Sequence, residues 1–547
     1  MKDQNSILDA LEKTGLRHKD KIAVKDPEAG YTWSELIVRS KRAGKCIAAA
    51  ANGRIRFPAA ILADKSADLL SAMTGVIYAG GFYAVINPEQ PAKRIEKILE
   101  TLSPEVMIAE SKYQEKLLEA GYSGRIYDLE LLFSEDKEDS DASSPEAQEE
   151  TKSCPDAPGE AKAYPRASEK VMAGIRENLS RESPLYGIFT SGSTGNPKCV
   201  LVSHGAVIDF IGHFAELFDF RSDDVIASQA PFDFDVSIKD IFTAFFTGAS
   251  LLLIPREYFS TAKTLMDYLC DNHATSLTWA VSALCIISGL HCFSYRVPDR
   301  LRRVMFSGEV MPVKQLNIWM DHVKNARFVN LYGPSEITCN CMYYEVKRSF
   351  ATDGKLPLGK EFPGRTVLLL DEGGNVIHEK NQPGEICVMG ESLALGYYGN
   401  PEETARHFVR FGPEGQRMYR TGDLAYYGDD GEMYFAGRKD FQIKHMGHRI
   451  ELEEIERSID SAEGVERCLS TFDQKKNRIY LYYKGEIDKK TLHRKAKELL
   501  PLYMVPNKFI HVKDFLLNKN GKTDRKALPT LEEVDESIRF KEQEMIK

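Results

Sequence analysis

Tyr186-Gly187-Ile188-Phe189-Thr190-Ser191-Gly192-Ser193-Thr194-Gly195-Asn196-Pro197-Lys198 runs from an apolar, β-prone segment into hydroxyls and glycines, and ends on a lysine. Glycine lets the backbone take positive φ and turn its N–H groups toward one point. Successive inward N–H groups, joined by Thr and Ser hydroxyls, make an anion-binding nest. Thr190, Ser191, Gly192, Ser193, Thr194 and Gly195 are therefore expected to cradle a polyphosphate, with the Lys198 cation at the rim. No Gly-Lys-Ser/Thr closes the run, which excludes the Walker A phosphate loop. A Ser/Gly surface loop has the same composition, so the reading depends on the segments that follow.

Working outward, the flanking sequence alternates between strand and helix patterns. On the N-terminal side, residues 5 to 50 read as amphipathic helix, short strand and helix, with Thr32 or Ser34 available as a cap. Ala59-Ala60-Ile61-Leu62 reads as a short buried strand and Ser66 to Tyr78 as a helix. A second strand follows the Gly80-Gly81 turn, and the alternation continues to about Leu132. This rhythm predicts an α/β sheet with parallel strands. It breaks between Ser134 and Lys162, where ten acidic residues face three lysines. That segment has too few large apolar residues to offset its ordering entropy, so residues 134–163 are expected to form a disordered acidic insertion.

The chain has 547 residues, enough for more than one core. Its net charge of −9 falls mostly on the insertion, and the nearly neutral remainder offers no basic footprint for nucleic acid. The ten cysteines form no C-x-x-C pair, which predicts reduced thiols. Cys339 and Cys341 are expected to alternate along a strand. Met1 to Lys21 lacks the apolar stretch of a signal peptide. No apolar run approaches the ~20 residues of a membrane span. Together these predict a cytoplasmic protein.

Three downstream motifs sharpen the reading. Asn330-Leu331-Tyr332-Gly333-Pro334-Ser335-Glu336 ends a strand on a forced turn, holding an aromatic ring, a hydroxyl and a carboxylate together. Tyr332 can stack on a purine, and Glu336 can hold a hard cation through oxygen. Tyr419-Arg420-Thr421-Gly422-Asp423 sets a carboxylate beside a glycine turn, where Asp423 can accept both hydroxyls of a ribose. Phe234-Asp235-Val236-Ser237 begins a run with helical spacing, and Asp235 can cap that helix or face a ligand.

In this order and with the phosphate run, the motifs resemble the adenylate-forming superfamily: acyl-CoA synthetases, luciferases and the adenylation domains of nonribosomal peptide synthesis. The resemblance covers about residues 20 to 528. It implies a large N-terminal domain of mixed, mainly parallel sheets flanked by helices plus a β-subdomain, and a small mobile α+β C-terminal domain. Their expected extents are 1–439 and 440–530, with a charged tail at 531–547. It implies ATP and Mg²⁺, with Ser307, Gly308 and Glu309 on one face of the adenine. Asn330, Leu331, Tyr332, Gly333, Pro334, Ser335, Asp423, Phe435 and Arg438 complete the nucleotide site, and Glu336 holds the metal. Asp440 becomes the hinge, and Lys522, in Asn520-Gly521-Lys522-Thr523-Asp524, the catalytic lysine.

In that family the F-D-x-S pattern marks amino-acid activation, with the Asp meeting the substrate ammonium. Here this is Asp235. The matching side-chain pocket is Val236, Lys239, Trp279, Met305, Ser307, Leu331, Cys339 and Asn340. Among relatives, the Thr278-Trp279 and Phe306-Ser307-Gly308-Glu309-Val310 segments most resemble D-alanine–carrier protein ligases, and Trp279 is expected to fill space and favour a small substrate. Lys239 can pair with an acidic side chain or extend to solvent. The residues leave open D-alanine, glycine, serine and an acidic amino acid. A separate phosphopantetheinylated carrier protein is the implied acceptor. The rival activities are an acyl-CoA synthetase and a non-catalytic nucleotide-binding module.

Overall fold

The computed structural model describes residues 4–133, 164–192, 196–351, 354–474, 476–515 and 528. The acidic insertion and the charged tail expected from sequence lie outside the described residues. The chain divides into two compact units, the first comprising Met1–Ser191, Asn196–Asp440 and Met446–Arg449, the second Gly192–Gly195, Phe441–His445 and Ile450–Lys547.

The first unit is built on three sheets. In its nine-stranded sheet, Arg327–Tyr332, Arg303–Ser307, Ser276–Ala280, Val225–Ser228, Ser250–Leu253 and Ile22–Lys25 run parallel in that spatial order. Antiparallel strands close both edges. The seven-stranded sheet is parallel from Pro184–Thr190 through Phe82–Ile86, Pro58–Leu62 and Val106–Ala109 to Ile126–Asp128. Pro58–Leu62 and Phe82–Ile86 are buried along their whole length, as parallel strands covered on both faces must be. A five-stranded antiparallel sheet around Gln416–Tyr427 forms the β-subdomain.

The helix expected from Ser66 to Tyr78 forms as Ala67–Tyr78, capped by Ser66. Thr32 caps Trp33–Ala50 by accepting from the Glu35 N–H at 3.2 Å, while Glu35 accepts from the Thr32 N–H at 2.8 Å. The residues that sandwich the nine-stranded sheet separate by strand parity. Met305, Val329 and Leu331 share one core with Ile238, Ile241 and Phe242 of the helix Val236–Thr247. Leu277, Trp279, Val304 and Phe306 join the core on the other face, with Trp319 and Leu284.

The second unit is α+β. Val465–Asp473 pairs antiparallel with Arg478–Gly485, which pairs parallel with Lys508–His511. Helices Leu452–Asp460 and Lys489–Leu499 cover this sheet over a core that includes Ile455, Ile459, Leu481, Leu492 and Met504.

The nine described cysteines are all free thiols. Cys339 and Cys341 do not alternate along a strand as expected. Thr338 and Cys339 take φ of 57° and 74°, and the next strand begins at Met342. The Gly-Pro turn holds the chain in a tight reversal there, because Cys341 N–H bonds back to the Tyr332 carbonyl at 2.8 Å.

Candidate active site

The strand Arg327–Tyr332 delivers its C-terminal end to the site, and the reversal after it supplies most of the polar groups. A Cβ on Gly333 would lie 2.5 Å from Asn340 Cα and 2.8 Å from the Cys339 carbonyl oxygen. Only glycine lets the two arms of the turn close this tightly. Tyr332, at the strand end, donates its hydroxyl to Asp423 Oδ2 at 2.6 Å, while Arg438 Nη1 donates to Asp423 Oδ1 at 2.6 Å. Burial first, and the Asp423 charge second, push the Tyr332 phenol well above its ordinary value, so it stays a donor. Arg438 also forks onto both oxygens of Asp440, at 2.6 and 2.7 Å. The ribose-binding carboxylate and the hinge residue of the sequence reading are thus tied to one guanidinium.

Glu336 is fully buried in the short turn Ser335–Ile337. Burial works to raise its carboxyl, but the Arg449 guanidinium, at 2.8 and 2.9 Å, and the Tyr397 hydroxyl, at 2.7 Å, hold it at about 2. Glu336 is therefore an anion at neutral pH, as a ligand for a hard cation must be. Among the described residues no cluster of three or more His, Cys, Asp or Glu could hold a metal. Mg²⁺ commonly takes one or two carboxylates plus substrate phosphates and water; with both oxygens held by Arg449 and no solvent exposure, Glu336 would have to exchange that guanidinium for the metal.

Asp235 stands at the start of the helix Val236–Thr247 but does not cap it with its side chain. Its Oδ2 instead accepts from Ser335 Oγ at 2.6 Å, and its carbonyl accepts from Cys339 Sγ at 3.1 Å. The helix start and the post-Pro turn therefore form facing walls. One helical turn further on, Lys239 Nζ donates to Asn340 Oδ1 at 2.9 Å, on the same two walls. Met305, Ser307 and Leu331, all buried, lie on the sheet face that this helix covers.

Trp279 departs from the expected pocket. Its neighbour Thr278 pairs with Met305 in register, so alternation turns Trp279 to the opposite sheet face. There its indole donates to the Ala227 carbonyl at 2.7 Å and meets Phe259 edge-on. Thr278 takes the place on the helix side, where its hydroxyl faces Asp240. Trp279 enters the expected pocket by matching to the resembled family, and its register with Arg303–Ser307 places it on the other face.

The phosphate run is framed by Pro184–Thr190 and Lys198–Ser203, antiparallel with Thr190 opposite Lys198. Ser191 donates its hydroxyl to the Arg449 carbonyl at 2.7 Å. Gly192 is the last described residue before Asn196, and Ser193, Thr194 and Gly195 lie outside the described residues, as does Lys522. Lys198 is not an open rim cation: Glu403 pairs with it at 2.5 Å in a nearly solvent-excluded position, under the Tyr397 ring. Gly308 takes φ of +95° after the strand Arg303–Ser307, and Glu309 accepts from the Gly447 N–H at 2.6 Å. Asn330 donates to the Pro357 carbonyl at 2.9 Å, and Phe435 packs half-buried against the main core.

Sequence reasoning missed Tyr397, Arg449, Lys65 and Asp240. Tyr397 and Arg449 act on Glu336 from 61 and 113 residues away, with no local pattern to flag them. Half-buried Lys65 and buried Asp240 interact through their charges: burial pushes the lysine down and the carboxyl up, each opposed by the other's charge.

A family model described as AMP-binding enzyme matches residues 11–398. Bacitracin synthase 1 of Bacillus licheniformis is 30% identical over 96% of the chain, which spans only 9% of that protein's length. The fold resembles o-succinylbenzoate CoA synthetase from Bacillus subtilis, with TM-score 0.77 and 20% identity over 96% of this chain and 98% of that one. It also resembles NpsA-ThdA, an artificially fused adenylation–PCP didomain NRPS from Klebsiella oxytoca, with TM-score 0.74 and 20% identity over 92% and 93%.

Proposed function

Since the chain belongs to the family of AMP-binding enzymes, we propose that it activates an amino acid as its adenylate and passes the aminoacyl group to the thiol of a separate phosphopantetheinylated carrier protein. The observation that carries this reading is Asp235: a carboxylate at a helix start that leaves its cap unmade and is instead aimed by Ser335 Oγ at 2.6 Å. An oriented carboxylate there suits a substrate ammonium. It would be costly to bury against an acyl tail.

The substrate carboxylate oxygen attacks the α-phosphorus of ATP in line. The O–P bond forms as the bond to the bridging oxygen breaks, and pyrophosphate leaves. Both reactants are anionic, so positive charge must meet them. Tyr332 offers its ring to the purine, and Asp423, oriented by Tyr332 and Arg438, receives the ribose hydroxyls. Glu336 would hold Mg²⁺, which supplies positive charge to the bridging oxygen when bound. Lys522 supplies a second cation to the same oxygen. In the second half-reaction a thiolate sulfur attacks the acyl carbon and AMP leaves. Asp440 serves as the hinge between the two half-reactions.

The test is amino-acid-dependent exchange of pyrophosphate into ATP by the purified chain, followed by loading of carrier proteins. Exchange driven by amino acids is expected. Exchange driven only by fatty or aryl acids, with CoA as acceptor, would favour a CoA ligase. Nucleotide binding without any exchange would mark a non-catalytic module. Lys522→Ala should lower exchange ~10²–10³-fold and thiol transfer from preformed adenylate much less; equal loss of both would overturn its role.

A further inference from the structure

Lys239 is 1% exposed, and among the described residues no carboxylate lies within ion-pair distance of its ammonium. Its hydrogen-bond partner is the neutral amide oxygen of Asn340, at 2.9 Å. A buried ammonium without a counter-charge is expensive by several kcal/mol. The neighbouring Asp240 feels both Lys65 and Lys239, Lys65 the more strongly, and Lys65 Nζ also donates to the Ser228 carbonyl at 2.7 Å. One carboxylate, Asp240, thus faces two lysines. Asp235 is itself committed once a substrate ammonium arrives. One positive charge, on Lys239, is then left in the wall.

The geometry fixes what can neutralise it. Asp235 and Lys239 are four residues apart on one helix, so they share a face about 6 Å apart along the axis. Both are held by the same turn, through Ser335 and Asn340. With Trp279 turned to the far side of the sheet, no indole fills the space beside them. Thr278 adds a hydroxyl there. Resting on the amino-acid reading proposed above, we infer that the substrate is an α-amino acid with an acidic side chain, its ammonium on Asp235 and its side-chain carboxylate on Lys239. Lys239 is thus a specificity-determining residue.

The experiment is pyrophosphate exchange by the full chain with both enantiomers of aspartate, glutamate and 2-aminoadipate. Asparagine, glutamine, glycine, serine, alanine and lysine serve as comparators, beside fatty and aryl acids. An acidic amino acid should exceed its amide or neutral counterpart by ~10²-fold or more in kcat/KM, since the amide leaves the buried charge unmatched. K239Q should erase that preference, raise the melting temperature by removing the unmatched buried charge, and leave ATP binding near that of the parent. Fastest exchange with a neutral or basic amino acid would overturn the inference and leave amino-acid activation standing. So would a K239Q variant that keeps the acidic preference. Exchange with non-amino acids alone, or none at all, would overturn the underlying reading and this inference with it.

Discussion

Glu336 carries its charge where burial alone would neutralise it. Its folded-state carboxyl sits at about 2, below its ordinary 4.5, because Arg449 and Tyr397 favour the anion. A depressed carboxyl contributes stability that is fully present above the unfolded value and is lost as pH falls through the folded one. The window is therefore about pH 4.5 down to about 2, and the contribution is ~3 kcal/mol. Glu336→Gln should remove this acid limb from a plot of urea midpoint against pH. At pH 7 it should also lower stability by about 3–5 kcal/mol, since it strands the Arg449 charge. An unchanged midpoint at pH 7, or an intact acid limb, would refute the assignment.

Two elements decide where the pocket lies. The turn after Tyr332 brings Ser335, Glu336, Cys339 and Asn340 to the site in one reversal, and Gly333 is the position that permits it. Gly333→Ala would force its Cβ into the backbone of Asn340. We expect a loss of about 1–3 kcal/mol in thermal unfolding, with amino-acid binding weakened more than nucleotide binding. The strand Ser276–Ala280 sets the second wall through its register with Arg303–Ser307. Trp279→Phe should lower stability by about 1 kcal/mol, through the lost bond to the Ala227 carbonyl, and leave amino-acid preference unchanged. Thr278→Val should do the opposite, altering preference in the exchange assay with little change in melting temperature. The reverse outcome would restore Trp279 to the pocket.

At the scale of the molecule, the largest core of the first unit and the main core of the second are separately built. One lies beneath the helix Val236–Thr247 and the large sheets, and the other under Leu452–Asp460 and Lys489–Leu499. Each unit has its own sheet and helices, so each is expected to unfold cooperatively on its own. Calorimetry should resolve two transitions, and ATP should raise that of the first unit by mass action. A single two-state transition would contradict this. Among the described residues no helix is long and apolar enough to cross a membrane.

The alternation of strand and helix patterns, the family-defining motifs and the start of the helix at Asp235 were all legible in the sequence, because each is local. Backbone propensity, capping chemistry and turn residues act over a few positions, and the sequence by itself determined them. Which face of a short strand looks toward a ligand is set by its partners in the sheet, so only the tertiary structure decided that Thr278, and not Trp279, meets the helix. The same holds for the charges. Glu403 claims Lys198 and Arg449 claims Glu336 from distant parts of the chain. Among the described residues Lys239 is left without a carboxylate at ion-pair distance, because Coulomb interactions depend on distance in space and not on separation along the chain.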